Sequence, residues 1–110
     1  MAQRTTLNEE IIGKVRSYLR LLERSGVDVE RGILFGSFSK GTTKGHSDID
    51  LCVVSSNFGK DPIAETVRLK SLTWDIDPRI EVIPYSPQDL AVEEDPLAHE
   101  IKKYGREIKF

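Results

Sequence analysis

Three short apolar runs, at 32–36 (GILFG), 48–55 (DIDLCVVS) and 79–85 (RIEVIPY), alternate with segments that carry helix start and stop signals. That alternation constrains the fold more than any other feature, because apolar runs of about four to eight residues bounded by turn residues read as buried strands. Ahead of the first run, Thr6 followed by Glu9 makes a capping-box pattern, and Ile11, Ile12, Val15, Tyr18, Leu19 and Leu22 recur at helical spacing. This predicts one helix opening at Thr6, with Gly26 as its left-handed stop. Asp61-Pro62 predicts a second helix to about Trp74, although Ile63, Val67, Leu69 and Leu72 do not form one clean stripe. Ser86-Pro87 and Asp95-Pro96 repeat the cap-plus-proline device and predict two short helices, the second ending at Gly105, with REIKF as a last edge strand. Pro84 places the third run at a sheet edge or a strand end. Residues 37–47, with Gly41, Gly45 and Thr42-Thr43, predict a short helical turn and a loop. Helices separating short strands make an α/β or α+β layer fold.

At 110 residues the chain has the length of one domain, expected to span 1–110. Its 38% hydrophobic and 31% charged residues suit a folded globule. Sixteen Lys and Arg against eighteen Asp and Glu give a formal charge of -2, the wrong balance for holding a phosphate backbone, so no stable nucleic-acid partner is expected. No apolar run reaches the ~18–20 residues of a membrane span, and MAQRTTLNEE lacks the apolar middle of a secretory signal, so no membrane contact and a cytoplasmic location are expected. The one cysteine, Cys52, sits in LCVV and reads as a buried structural thiol in a reducing compartment.

The chemistry is concentrated at 36–50, GSFSKGTTKGHSDID. Gly36 closes a buried strand and Ser37 stands where a helix would start, which lets free N–H groups and a hydroxyl face a phosphate. Asp48 and Asp50 flank Ile49 at the head of the next strand, and the two-residue period puts both carboxylates on one face. Such a pair is a hard-oxygen site suited to Mg²⁺ together with substrate phosphates. Glu81, set between Ile80 and Val82 in an otherwise apolar strand, is the natural third ligand, since a charge there is costly unless paired or metal-bound. Three acids and an anion cradle point to two-metal nucleotidyl transfer.

The combination resembles the nucleotidyltransferase superfamily that includes DNA polymerase beta, and more narrowly the minimal nucleotidyltransferases found as antitoxins beside HEPN-domain toxins. Gly36-Ser37, ten residues and Asp48-Ile49-Asp50 match the family's Gly-Ser, ten residues, Asp-x-Asp signature, and Ile80-Glu81-Val82 matches its later hydrophobic-acid-hydrophobic element. The third acid is Glu where many members carry Asp. The resemblance implies a small mixed sheet flanked by helices, ATP as donor, two Mg²⁺ ions held by Asp48, Asp50 and Glu81 as catalytic residues, and AMP transfer with pyrophosphate leaving. It does not fix the acceptor. A tyrosine or other hydroxyl on a HEPN-type ribonuclease is the first expectation, because so short a chain holds the catalytic core and little to bind an acceptor. A purely stoichiometric antitoxin and an aminoglycoside-type enzyme built by dimerisation are the alternatives.

Around this core, Gly36, Ser37, Lys40 and Lys44 are the expected nucleotide-binding residues, the lysines set to neutralise the triphosphate. His46 edges the pocket at most, and His99 reads as surface or packing. Trp74 and Tyr104 read as core or interface. Arg16, Arg20 and Arg24 recur every fourth residue and form a basic stripe, either solvated or facing an acidic partner or the acceptor segment. Self-association is left open by the sequence.

Overall fold

The computed structural model describes residues 2–36 and 48–110, with side chains in the first helix from Glu9 onward. The elements run α1 (Ala2–Arg24), β1 (Arg31–Phe35), β2 (Ile49–Val54), α2 (Pro62–Thr73), β3 (Ile80–Tyr85), α3 (Pro87–Leu90), α4 (Pro96–Tyr104) and β4 (Arg106–Glu107). The predicted loop at 37–47, with Ser37, Lys40, Lys44 and His46, lies outside the described residues.

The sheet has the order β3-β2-β1-β4. β1 pairs antiparallel with β2 and β4, while β2 and β3, joined through α2, are parallel. The result is the mixed sheet flanked by helices expected above. Pro84 falls on the edge strand β3, where a missing donor costs no ladder bond on the open side.

Alternation along the strands sorts the core into two layers. Leu34, Ile49, Leu51, Val53, Ile80 and Val82 pack with Ile11, Val15, Tyr18, Leu19 and Leu22 of α1 and Leu69 of α2. Ile33, Phe35, Cys52 and Val54 point the other way, onto Leu90, Ala98 and Ile101 of α3 and α4. Cys52 is fully buried there, and burial pushes its thiol up to about 12, as an inert structural cysteine requires.

The local signals act where they were read. Gly26 adopts φ +94°, its N–H donates to Glu23 O (3.1 Å) and the Val27 N–H donates to Leu22 O (2.9 Å), the paired bonds of a left-handed helix stop. Asp61 accepts from the Ala64 N–H (3.2 Å), Ser86 from Asp89 N–H (3.1 Å) and Asp95 from Leu97 N–H (2.9 Å), each with proline in the first turn. One expectation is corrected, the start of α1, and the uneven stripe of α2 is explained. α1 begins at Ala2, so Thr6 lies inside it and cannot cap it; Ala2, Gln3 and Arg4 are themselves good helix formers. α2 buries Leu69 while Ile63 and Val67 face outward. Among the described residues no helix is long and apolar enough to cross a membrane.

Candidate active site

The acid set sits where three strand ends meet. The register pairs Asp50 with Glu81 across the parallel β2–β3 ladder and with Phe35 across the antiparallel β1–β2 ladder. Paired residues on neighbouring strands, roughly 4.8 Å apart, point to the same side. Asp50 and Glu81 thus share the face that carries Cys52 and Ile83. Asp48 precedes β2 by one residue and is exposed.

Burial raises the Asp50 carboxyl above its ordinary range, and the negative charges of Asp48, Glu81 and Glu100 push it further in the same direction. Glu100, on α4, was not singled out in the sequence. Nothing local marked it, because it joins the acids only through the packing of α4 over the sheet.

Gly36 follows β1 at φ +75°, a backbone state that L-residues rarely adopt. A Cβ there would overlap Asp50 Oδ2 and lie 3.1 Å from Asp50 Cγ. The strand end is therefore shaped around the Asp50 carboxylate, which fills the space a side chain at Gly36 would take.

Glu81 is half exposed and its Oε1 stands 3.6 Å from Lys70 Nζ. Lys70, at the C-terminal end of α2, also donates to Ile80 O (2.8 Å) and Pro78 O (3.1 Å), so its ammonium is held at the head of β3. Among the described residues, no three His, Cys, Asp or Glu side chains stand close enough together to hold a metal ion. The donors are nonetheless hard carboxylate oxygens that the register sets side by side at Asp50 and Glu81, which fits Mg²⁺ in kind.

The sequence also gave no sign of the lock that aligns these strands. Asp77 is buried, and its carboxylate accepts from Arg79 Nη2 (2.7 Å), Arg79 Nε (3.1 Å) and Lys14 Nζ (3.0 Å). The Arg79 fork holds the Asp77 carboxyl well below the usual carboxylate range. Arg79 O in turn accepts from Ile49 N–H (2.9 Å), which fixes the start of β2, and so Asp48 and Asp50, against the start of β3.

The other sequence candidates stand apart. His99 is exposed, with a ring nitrogen 2.6 Å from Glu93 O. Trp74 and Tyr104 are exposed rather than core residues, the latter under the Lys103 ammonium at 5.3 Å. Arg16 Nε donates to Lys109 O (2.9 Å), while Arg20 and Arg24 are exposed.

No protein of curated function matches the chain by sequence. Among solved structures, the chain is similar in fold to a candidate nucleotidyltransferase from Sulfolobus solfataricus, with a TM-score of 0.71 at 14% identity over 94% of this chain and 84% of that one. It is also similar to a chain of a toxin–antitoxin structure with AMP-PNP, with a TM-score of 0.62 at 23% identity over 93% and 72% of the two chains. The profile of the nucleotidyltransferase domain matches residues 13–106, a span that takes in Gly36, Asp48, Asp50 and Glu81, and the chain belongs to that family.

Proposed function

We propose that this nucleotidyltransferase moves AMP from ATP to a hydroxyl on a partner protein, that Mg²⁺ supports the reaction, and that the partner is a HEPN-type ribonuclease silenced by the modification. The observation that carries the reading is the junction of Gly36, Asp50 and Glu81, where a side-chain-free backbone turn meets paired carboxylates on one face. Support for an adenine nucleotide and a protein partner comes from the fold neighbour that is a toxin–antitoxin structure with AMP-PNP, an ATP analogue.

In this reading Asp48, Asp50 and Glu81 would hold Mg²⁺, which supplies charge neutralisation at the phosphates and a lower pKa for the attacking hydroxyl. The Gly36 backbone admits the phosphates, Ser37 donates to the β and γ groups, and Lys40 and Lys44 balance their charge. The acceptor oxygen bonds to the α-phosphorus as the bond to the departing pyrophosphate breaks. The hydroxyl proton passes to the Glu81 carboxylate, whose exposure leaves it open to an incoming acceptor.

The test is label transfer from α-labelled ATP, with Mg²⁺, to the purified product of the neighbouring gene. After the chain is removed, the partner's mass and ribonuclease activity are measured. An AMP adduct and lasting loss of activity at substoichiometric amounts are expected. Asp48→Asn should lower transfer by several orders of magnitude with unchanged circular dichroism, because asparagine is nearly isosteric but cannot compensate metal dehydration. An unmodified partner that regains full activity on removal refutes catalysis and leaves a binding protein.

A further inference from the structure

α2 is apolar on two sides. Leu69 is buried and Leu72 packs against the core, yet Ile63, Val67 and Trp74 are 79%, 64% and 70% exposed. Val67 follows Ile63 by four residues and Trp74 follows Val67 by seven, so the three form one stripe along the outer face. This split is why the sequence showed no clean stripe.

The stripe is displayed on a fixed helix. Tyr18 Oη donates to Leu69 O (2.6 Å), Arg68 Nη2 to Ser25 O (2.6 Å) and Lys70 Nζ to Ile80 O (2.8 Å). A rigid apolar stripe that adds nothing to the core marks a contact surface, and tryptophan is among the residues most often found at the energetic centre of one.

Its position ties it to the acids. Lys70 lies within the stripe, between Val67 and Trp74, and its ammonium stands 3.6 Å from Glu81. β3 is an edge strand on which Glu81 is exposed, and the Lys70–Glu81 pair links the stripe to it around that edge.

We infer that the outer face of α2 docks the protein that receives AMP, gripping an apolar segment whose neighbouring hydroxyl side chain then falls at the Glu81 end. The inference rests on the protein-acceptor reading above. Area selects this occupant over a second copy of the chain. At these exposures the three side chains present roughly 400–500 Å² of surface, about half of the ~800 Å² per partner that a stable interface buries. Two copies paired stripe to stripe would not persist, whereas a substrate that must leave after each turnover needs no larger anchor.

Trp74 is the chain's single tryptophan, so 5-fluorotryptophan gives one ¹⁹F resonance from the end of the stripe nearest Lys70. The probe is the purified full-length HEPN-type acceptor, titrated against the labelled chain and against the Ile63→Asp/Val67→Glu variant. Both substituted positions are exposed, and the unchanged circular dichroism of the variant serves as its folding control. The expected result is a shifted Trp74 resonance on adding acceptor. In the variant, KM for the acceptor should rise on the order of tenfold or more, with kcat and KM for ATP unchanged. AMP transfer with an unmoved Trp74 resonance, or with an unchanged acceptor KM in the variant, overturns the docking site and leaves the transfer reading intact. A Trp74 shift that depends on chain concentration without acceptor, with a dimer in sedimentation, assigns the stripe to a second copy and also overturns it. Acceptor binding that moves Trp74 and is lost in the variant, but without any AMP adduct, supports the docking site and refutes transfer. Absence of acceptor binding refutes both.

Discussion

Replacing Gly36 with alanine probes whether the end of β1 is shaped around the Asp50 carboxylate. The φ of +75° costs an L-residue about 1–2 kcal/mol. The added methyl also overlaps Asp50 Oδ2 and approaches Asp50 Cγ to 3.1 Å and Cβ to 3.3 Å, so the carboxylate must turn away. Overpacking of this kind costs about 1–3 kcal/mol. The sum, about 2–5 kcal/mol, is a large share of the ~5–15 kcal/mol that holds a small domain together. A double-mutant cycle separates the two parts. With Asp50→Ala as background the overlapping oxygen is gone, so Gly36→Ala should cost only the backbone part, about 1–2 kcal/mol. The coupling energy is then about 1–3 kcal/mol. Urea unfolding followed by circular dichroism gives all four stabilities, with equal m-values as the check on two-state behaviour. Equal costs of Gly36→Ala in the two backgrounds would refute the contact, and a cost below about 0.5 kcal/mol in the native background would refute the strained backbone as well.

Two further perturbations follow from the head of β3. Asp77→Ala should lower stability by about 2–4 kcal/mol in urea unfolding, somewhat less than for a fully buried pair because solvent reaches both Arg79 and Lys14. Since the folded carboxyl is held below its ordinary 3.8, its contribution is present above that pH and is lost as pH falls further, so wild-type Tm should drop more steeply in acid than that of Asp77→Ala. Parallel pH slopes would exclude the lock. Lys70→Met removes the cation 3.6 Å from Glu81, and the Mg²⁺ concentration for half-maximal AMP transfer should fall about two- to fivefold, a modest change because the pair is partly solvated. An unchanged Mg²⁺ dependence would detach Lys70 from the site.

What the sequence made legible was local or strictly periodic. Asp61, Ser86 and Asp95 each stand directly before a proline and satisfy N–H groups within three residues, so their helix starts depend on nothing distant. Glu81 stood out because a two-residue period left it alone among Ile80, Val82 and Ile83. The unread features depend on partners far along the chain. REIKF was legible as a last edge strand but its neighbour was not, because the pairing of Leu34 with Arg106 spans most of the sequence. Lys14 reaches Asp77 across 63 residues, and the charge of Glu100 meets Asp50 only because Ala98 and Ile101 seat α4 on the same face. The bounds of α2 were legible from its cap and proline, but its buried face was not, since a helix with apolar residues on two sides has no single moment to detect.

The acid set works against the fold that carries it, and the arrangement of the sheet shows how the conflict is contained. Bringing Asp48, Glu81 and Glu100 within electrostatic reach of Asp50 disfavours its charged form, which burial already disfavours. Each acidic strand position is flanked by residues that face the opposite layer. Ile49 and Leu51 bracket Asp50, and Ile80 and Val82 bracket Glu81, all four buried against α1 and α2. The repulsion therefore acts on strands anchored from behind by apolar burial, and along their length by the Ile49 N–H bond to Arg79 O. Strands clamped between two apolar layers in this way can present like charges at one end without separating from each other. Burial behind the acids therefore offsets their mutual repulsion, which is what the proposed cation and phosphate site requires of the fold.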